Sequence, residues 1–407
     1  MSNGICRICG GTVKATLDLG RQPSGNGFPL PHEIEHERSF PLSAGTCDSC
    51  TMFQLLDDVP SDAKYRDEYP YHASGSAVHR AHFAGNARRF LETELTRPDA
   101  FIVEIGSNDG VMLATIAQAG VRHLGVEPCR EVADVARSRG VRVLGDFFDE
   151  NTAAAIRAEH GPADMVFGAN CIAHIVYLPR LLQGVDTLLT PDGVFVFEEP
   201  YLGSVIAQNA FDMIYDEHVH VFAVRSVKAM AELSGFELVN AEPVPLHGGT
   251  MRYTIARPGR RTPAPAVAEF LAREREQGLA EHGTIERFAA SVRKIREDLT
   301  ALLRDLRAQG RRVAGYGAPA KVTTVTNYCG IGTDLIPFVV DSTPSKQGRL
   351  VAGSHIPVLE PGAFAAERPD YAVLFAWNHA EEIMAKEQEF RERGGRWIYY
   401  VPDVRVV

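Results

Sequence analysis

The sequence contains no uninterrupted apolar stretch near the ~18 residues that a membrane-spanning helix needs, so no membrane association is expected. Its start, "MSNGICRICGG", lacks the apolar core of a secretory signal, which leaves the cytoplasm as the expected location. Positive charge is also scarce. Lys and Arg number 42 against 52 Asp and Glu, a formal net charge of −10. That balance repels a polyanion, and nucleic acid is not expected as a partner. The absence of fixed-period repeats and low-complexity tracts sets aside solenoids and disordered arrays. What remains is a chain of 407 residues, 45% hydrophobic and 23% charged. It is too long for one ordinary core, so two or three globular domains are expected.

Cysteine is sparse, but four of the seven stand in two pairs, Cys6-Arg-Ile-Cys9 and Cys47-Asp-Ser-Cys50. Two such knuckles can supply four thiolates to a tetrahedral Zn²⁺; disulfides or unrelated buried thiols are the alternatives, weaker in a cytosolic chain. Four sulfur ligands leave no open position, so this metal would be structural. Between the pairs, "LDLGRQPSGNGFPLP" reads as a strand followed by a Gly/Pro-rich loop. The isolated Cys129, Cys171 and Cys329 read as ordinary core residues.

A helical stretch near residues 76–95 precedes "FIVEIGSNDGVMLATIAQAG", a β-rich run, a Gly-rich turn and an apolar-periodic helix. A second strand, "VRHLGVEPC", ends in Glu127, placed to accept hydrogen bonds from a ribose. The units "VRVLGDFFD", "ADMVFGANCIAHI" and "LLTPDGVFVFEEPYL", the last with a turn before its strand, continue the alternation to about residue 240. A doubly wound parallel α/β sheet is the fold that this order implies. The turn Gly106-Ser-Asn-Asp-Gly110 lacks G-x-G-x-x-G spacing, which disfavours a nicotinamide cofactor; a tight connection without ligand is the bland alternative. Residues 263–309 read as amphipathic helices with solvated outer faces. After them "RRVAGYGAPAKVTTVTNY", "LIPFVVDSTPSKQG", "YAVLFAWNHAEEI" and "RWIYYVPDV" form a second, smaller α/β unit.

Glu104-x-Gly106-x-Asn108-x-Gly110, Glu127, Gly145-Asp146-Phe147 and the turn ending at Gly193 together resemble class I S-adenosylmethionine-dependent methyltransferases. The resemblance implies that Gly106, Asn108 and Gly110 lie at the methionine part of the cofactor. Glu127 would serve the ribose and Asp146 with Phe147 the adenine edge, with Asn170 also at the cofactor. Asn108 stands where that family usually has a glycine. With the doubled zinc knuckle, "NCIAHI", "YDEH", "GYGAPAK…NYCGI" and "VDSTPSKQGR…IPV" added, almost the whole chain resembles sugar C-methyltransferases acting on nucleotide-linked 4-keto deoxysugars. The likeness is to the branch that methylates C-3′, as in D-tetronitrose biosynthesis.

That family implies three parts. They are a zinc-binding module (1–65), a methyltransferase domain (66–255), and a helical linker with a C-terminal Rossmann-like domain (256–407). It also implies S-adenosylmethionine and structural Zn²⁺ at Cys6, Cys9, Cys47 and Cys50, and a dTDP-linked 4-ketosugar as substrate in antibiotic biosynthesis. A monomer is expected. An RNA or protein methyltransferase gripping its target through the zinc module is the alternative; residues 1–65 show no basic, aromatic-studded enrichment for it.

The segment "IYDEHVHVF", residues 214–222, packs two histidines, two carboxylates and a phenol among core formers. Methylating carbon requires a proton to leave it first, and an imidazole of ordinary pKa ~6.5 suits that task. Tyr-x-Glu-His matches the family's active-site block. On that resemblance His218 is the expected base, with Tyr215 toward the enolate oxygen and Glu217 orienting its neighbours. His174 is the rival base, His220 has no assigned role, and Asp216 is expected in solvent. A fully extended segment would put Tyr215 and His218 on opposite faces, so a turn is required. Tyr71, Tyr316, Lys321, Lys346 and Arg349 are the candidate substrate residues, the cations facing the diphosphate.

Overall fold

A computed structural model describes residues 3–59 and 72–407. Tyr71, a candidate substrate residue, lies outside the described residues.

Among the described residues three sheets organise the chain. The central one runs in the order Glu237–Val244, Thr250–Ala256, Leu189–Pro200, Ala163–Ala169, Phe101–Ile105, Arg122–Val126, Val143–Leu144. Phe101–Ile105 is flanked by parallel partners on both sides and all five of its residues are buried. A continuous apolar run is what a strand with both faces covered requires. The chain leaves this strand toward Arg122–Val126 on one side and returns to Ala163–Ala169 on the other. The ligand crevice of a doubly wound sheet lies at that switch, beyond the carboxyl ends of the strands. The turn anticipated before the fifth strand is instead absorbed into it, since the strand already begins at Leu189.

The helix Ala77–Thr93 buries Phe83, Ala87 and Phe90 against this sheet. On the same helix His82 and Asn86 meet Glu198, whose other partner is Arg252 at 2.7 Å, so a buried carboxylate is fully paired. Glu150–His160 starts at Asp149, whose side chain accepts from the Thr152 N–H at 2.8 Å, an N-cap satisfying one orphan donor. The 27-residue helix His282–Ala308 buries Ile285, Phe288, Ala289, Val292, Ile295, Leu299, Leu303 and Leu306, a three-four stripe with its charges outward.

The C-terminal sheet runs Val358–Leu359, Val339–Val340, Val313–Tyr316, Tyr371–Leu374, Arg396–Tyr399, Arg405–Val406. Its inner pairs are parallel and the last is antiparallel. The N-terminal sheet joins Gly4–Ile5, Thr12–Pro23, Ser39–Cys47 and Phe53–Leu55, and its fifth strand is His220–Val221 from far along the chain. His220 pairs with Gln54 and Val221 with Phe53. The segment rich in proton carriers is thereby stitched to the cysteine-bearing module. No helix among the described residues is long and apolar enough to cross a membrane.

Candidate active site

The knuckles bring Cys6, Cys9, Cys47 and Cys50 together with their sulfurs all within 4.8 Å of one another. Cys6 Sγ lies 3.5 Å from Cys50 Sγ, and Cys9 Sγ the same distance from Cys47 Sγ. Those separations are far longer than a disulfide bond. They fit a tetrahedron of ~2.3 Å metal–sulfur bonds, whose edge is about 3.8 Å. Backbone N–H groups of Ile8 and Ser49 point at Cys6 and Cys47 sulfurs, and Gln54 donates to Cys6 Sγ at 3.1 Å. Such donors stabilise thiolate charge, as a Zn²⁺ site needs.

At the crevice, Gly106 has φ +63 and Gly110 φ +73. A Cβ on Gly106 would come within 2.9 Å of Cys171, and one on Gly110 within 2.9 Å of Ala136. Cys171 is therefore a wall of the loop, its thiol donating to the Ile105 carbonyl at 3.2 Å. Asn108 adopts φ +46, a left-handed geometry that asparagine tolerates better than most residues, and its side-chain oxygen accepts from the Ala73 N–H. The exchange of glycine for asparagine thus keeps the loop's path. Glu127 accepts from the N–H groups of Asn108 and Cys129, both at 2.9 Å, which orients its carboxylate at the strand end. Glu104 is buried beneath the loop with Oε2 lacking a partner among the described residues, and burial pushes its pKa well above the carboxylate range. An orphaned acceptor below a glycine loop suits the cationic amino-acid end of S-adenosylmethionine. Asp146 and Phe147 stand exposed after Val143–Leu144, and Asn170 (φ +55) closes the fourth strand, its N–H on the Glu198 carbonyl.

Changing Glu127→Ala is expected to raise the cofactor Kd by roughly one to two decades, the cost of hydrogen bonds to a charged group. Calorimetry with S-adenosylmethionine reads this, and an unchanged Kd would remove Glu127 from the site.

After the fifth strand the chain turns sharply: His218 N–H donates to the Tyr215 carbonyl at 2.9 Å. This turn, not an extended strand, puts both side chains on one side. Tyr215 Oη lies 3.0 Å from His218 Nε2, and His218 Nδ1 lies 2.7 Å from the Met213 carbonyl. A carbonyl only accepts, so the proton sits on Nδ1 and Nε2 carries the lone pair toward the phenol. Burial pushes His218 down to about 4. Its environment thus departs from the ordinary value expected of an exposed imidazole.

The rival, His174, sits on the turn Ile172–His174 with its ring centre 5.3 Å from that of His218 and Nδ1 3.9 Å from Glu217 Oε2. Glu199 holds that turn, accepting from Ile172 and Ala173 N–H groups at 2.6 and 3.1 Å, and burial pushes it up to about 8. Glu217 is fully buried and accepts from Asn26 at 2.8 Å. Asp216, expected in solvent, is buried as well and accepts from the Gly25 N–H at 2.9 Å. The Gly/Pro-rich loop of the cysteine module therefore grips both carboxylates of the turn. His220 Nε2 is 3.2 Å from the Val176 carbonyl, inside the shared sheet.

From the C-terminal domain Lys321 reaches this region, donating to Asn378 at 2.9 Å and lying 3.5 Å from Asp212. Asp212 also accepts from Trp377 and Tyr400 at 2.7 and 2.6 Å, tying the domain to the residues just before Met213. Lys346 donates to the Ala318 carbonyl and Arg349 to that of Phe28, both lining the same loop contact. Tyr316, expected at the substrate, points instead into the C-terminal core between Phe364 and Trp397, its hydroxyl on Glu387. The Ala318 N–H in the "GYGAPAK" loop is already taken by Asp341 at 2.6 Å, so that amide does not offer an open anion seat.

A glycine-loop crevice on a doubly wound sheet, flanked by a four-thiol module and a second α/β domain, defines a cofactor-dependent methyltransferase of three parts. Residues 78–241 match the family described as "Methyltransferase domain", 6–65 "Putative zinc binding domain" and 245–402 "C-methyltransferase C-terminal domain". The chain is 37% identical over 406 residues to the C-methyltransferase NovU of Streptomyces niveus, covering 99% of this chain and 96% of that protein. It belongs to the C-methyltransferase family and is an S-adenosylmethionine-dependent C-methyltransferase with a zinc-binding module. A methyltransferase structure from Anabaena variabilis shares 16% identity over 45% of this chain and 86% of its own, with TM-score 0.36. The glycopeptide N-methyltransferase MtfA shares 14% over 42% of this chain and 93% of its own, with TM-score 0.33. At such distance neither structure bears on the chemistry of this chain.

Proposed function

We propose that this enzyme methylates C-3′ of a dTDP-linked 4-keto deoxy(amino)sugar in the cytoplasm, as a monomer, by forming an enolate at the carbon to be alkylated. The observation that supports this reading most is the Tyr215–His218–Met213 arrangement. A hydrogen on carbon beside a ketone leaves only if a lone pair waits for it and the resulting oxyanion finds a donor. His218 Nε2 offers the lone pair. The Met213 carbonyl fixes the Nδ1–H tautomer and gains strength as the ring becomes cationic. Tyr215 supplies the hydroxyl donor 3.0 Å away, which can turn from the imidazole to the enolate oxygen. Buried Glu217, 3.9 Å from His174 Nδ1, orients that neighbouring ring beside the base. Bound S-adenosylmethionine supplies an electrophilic methyl group on a sulfonium. The residues around Gly106, Asn108, Gly110, Glu127, Asp146, Phe147 and Asn170 would hold it, and Lys321, Lys346 and Arg349 the nucleotide side of the substrate.

The reading of an RNA or protein methyltransferase asks the cysteine module to present an outward surface. Its sheet is instead completed by His220–Val221 and its loop is spent on Asp216 and Glu217, a scaffold for the site itself. Mass spectrometry of a panel of dTDP-ketosugars incubated with S-adenosylmethionine tests the proposal. A product heavier by one methylene is expected for a 4-keto sugar; turnover confined to RNA or protein would overturn it.

A further inference from the structure

The loop Ser24-Gly25-Asn26-Gly27 belongs to the cysteine-bearing module, yet it serves side chains 191 residues further along the chain. It is anchored on both flanks before Asn26 makes its own contact. The Gly25 N–H donates to Asp216 at 2.9 Å, and the Gly25 carbonyl accepts from the Thr323 hydroxyl of the C-terminal domain at 3.1 Å. The Gly27 N–H closes the loop on the Ser24 carbonyl at 3.1 Å. Just beyond, the Phe28 carbonyl accepts from Arg349 at 3.3 Å and the Pro29 carbonyl from the Leu350 N–H at 3.0 Å, while Lys346 Nζ stands 4.9 Å from the centre of the Phe28 ring. The backbone between these anchors has little slack. A Cβ on Gly25 would come within 3.1 Å of Asp216, 3.2 Å of the Tyr215 ring and 3.3 Å of the Ala320 carbonyl. A side chain carried on so fixed a loop is fixed with it.

Asn26 Nδ2 donates to Glu217 Oε1 at 2.8 Å. The other oxygen of that buried carboxylate, Oε2, lies 3.9 Å from His174 Nδ1, and the His174 ring is centred 5.3 Å from that of His218. A carboxylate accepts through either oxygen and turns readily about its last bond, so a donor held on Oε1 decides where Oε2 points. The contact therefore sets an orientation as well as satisfying an acceptor. Neither close replacement can do the same: alanine has no donor, and aspartate, of nearly the same shape, would set a second carboxylate against the first.

We propose that Asn26 is a positioning residue for the proton transfer, which aims Glu217 Oε2 at His174 and so fixes the ring that packs beside the base. The inference rests on the enolate chemistry proposed above. It gives the cysteine module a side chain in the order of the site, separate from the folding support of its metal.

The full-length, zinc-loaded enzyme tests this with Asn26→Ala, which deletes the donor, and Asn26→Asp, which opposes Glu217 with like charge. Exchange of the C-3′ hydrogen of a dTDP-linked 4-ketosugar in deuterated water is expected to fall about tenfold in Asn26→Ala, the loss of one hydrogen bond to a charged group, and further in Asn26→Asp. The fall should appear in kcat with KM nearly constant, while zinc content and S-adenosylhomocysteine affinity match the wild type. A second readout needs no substrate. In NMR of ¹³C-labelled histidine, the His174 signal, identified by its loss in His174→Asn, is expected to shift in Asn26→Ala; in the Glu217→Ala background the same change should leave it where it is. An unmoved His174 signal overturns the proposal, as does exchange at the wild-type rate, or a loss of activity that comes with loss of zinc or of cofactor affinity. Should the wild type exchange no ketosugar, the proposed function falls, and the NMR comparison alone then decides the role of Asn26.

Discussion

His218→Asn is expected to abolish methyl transfer and also exchange of the C-3′ hydrogen with deuterated water, a fall of about 10²–10⁴-fold in each, the usual contribution of a positioned base. Asparagine keeps an amide donor for the Met213 carbonyl, but its amide oxygen is far too weak a base to replace Nε2. Cofactor affinity should be near normal, because the residues around Gly106 and Glu127 are untouched. His174→Asn should be milder in both assays: its ring meets the catalytic turn through Glu217 at 3.9 Å, whereas the 2.7 Å contact that fixes a tautomer, with the Met213 carbonyl, belongs to His218. Hydrogen exchange is the sharper readout, since it reports carbanion formation without requiring methyl transfer, whereas lost product alone could result from misplaced substrate. The pH profile offers a second check. Burial holds His218 at about 4, below the ordinary 6.5, so the neutral form persists as pH falls and the acid limb of kcat/KM for exchange should lie near pH 4. If His174→Asn eliminates exchange while His218→Asn preserves it, the roles exchange; if neither matters, the turn is structural.

What is legible in the sequence depends on whether the information is local. The C-x-x-C pairs, the glycines at 106 and 110 and the buried run "FIVEI" each carry their constraint within a few residues, and each sits in the structure as its pattern implies. The turn at Tyr215–His218 is demanded by side-chain geometry alone. Asp216 defies expectation because its partner, the Gly25 N–H, lies 191 residues away, and no local pattern announces that a carboxylate will be satisfied from there. Tyr316 goes astray for another reason. A strand covered on both faces has no polar side, so alternation cannot say whether a tyrosine faces the cleft or the core. Asn26, Asp212 and Glu199 carry no sequence signal of their own. They acquire meaning only when three domains meet.

Stripping the zinc, or changing Cys47→Ser, is expected to abolish methyl transfer as completely as losing the base, and to do so through the fold. Structural zinc contributes folding free energy directly, about 10–16 kcal/mol in small isolated modules, so the four sulfurs cannot hold their approach without it. The consequence here reaches further than the module. Phe53–Leu55 is the partner of His220–Val221, and Gly25 and Asn26 are the partners of Asp216 and Glu217. When the knuckles loosen, the strand just after His218 loses its neighbour and two buried carboxylates lose one donor each. Taking a hydrogen-bond donor from a buried carboxylate is costly, and letting the turn swing into water relieves it. Among the described residues the loop glycines pack instead on Cys171 and Ala136, away from Gly25 and Asn26. Chelation should therefore release one Zn²⁺ per chain, lower the melting temperature, and stop exchange of the C-3′ hydrogen while S-adenosylhomocysteine still binds. Elemental analysis finding no stoichiometric metal in fully active, well-folded protein would defeat this account. Parallel loss of cofactor binding at the first zinc equivalent removed would show instead that the module supports the whole central domain and not the catalytic turn alone.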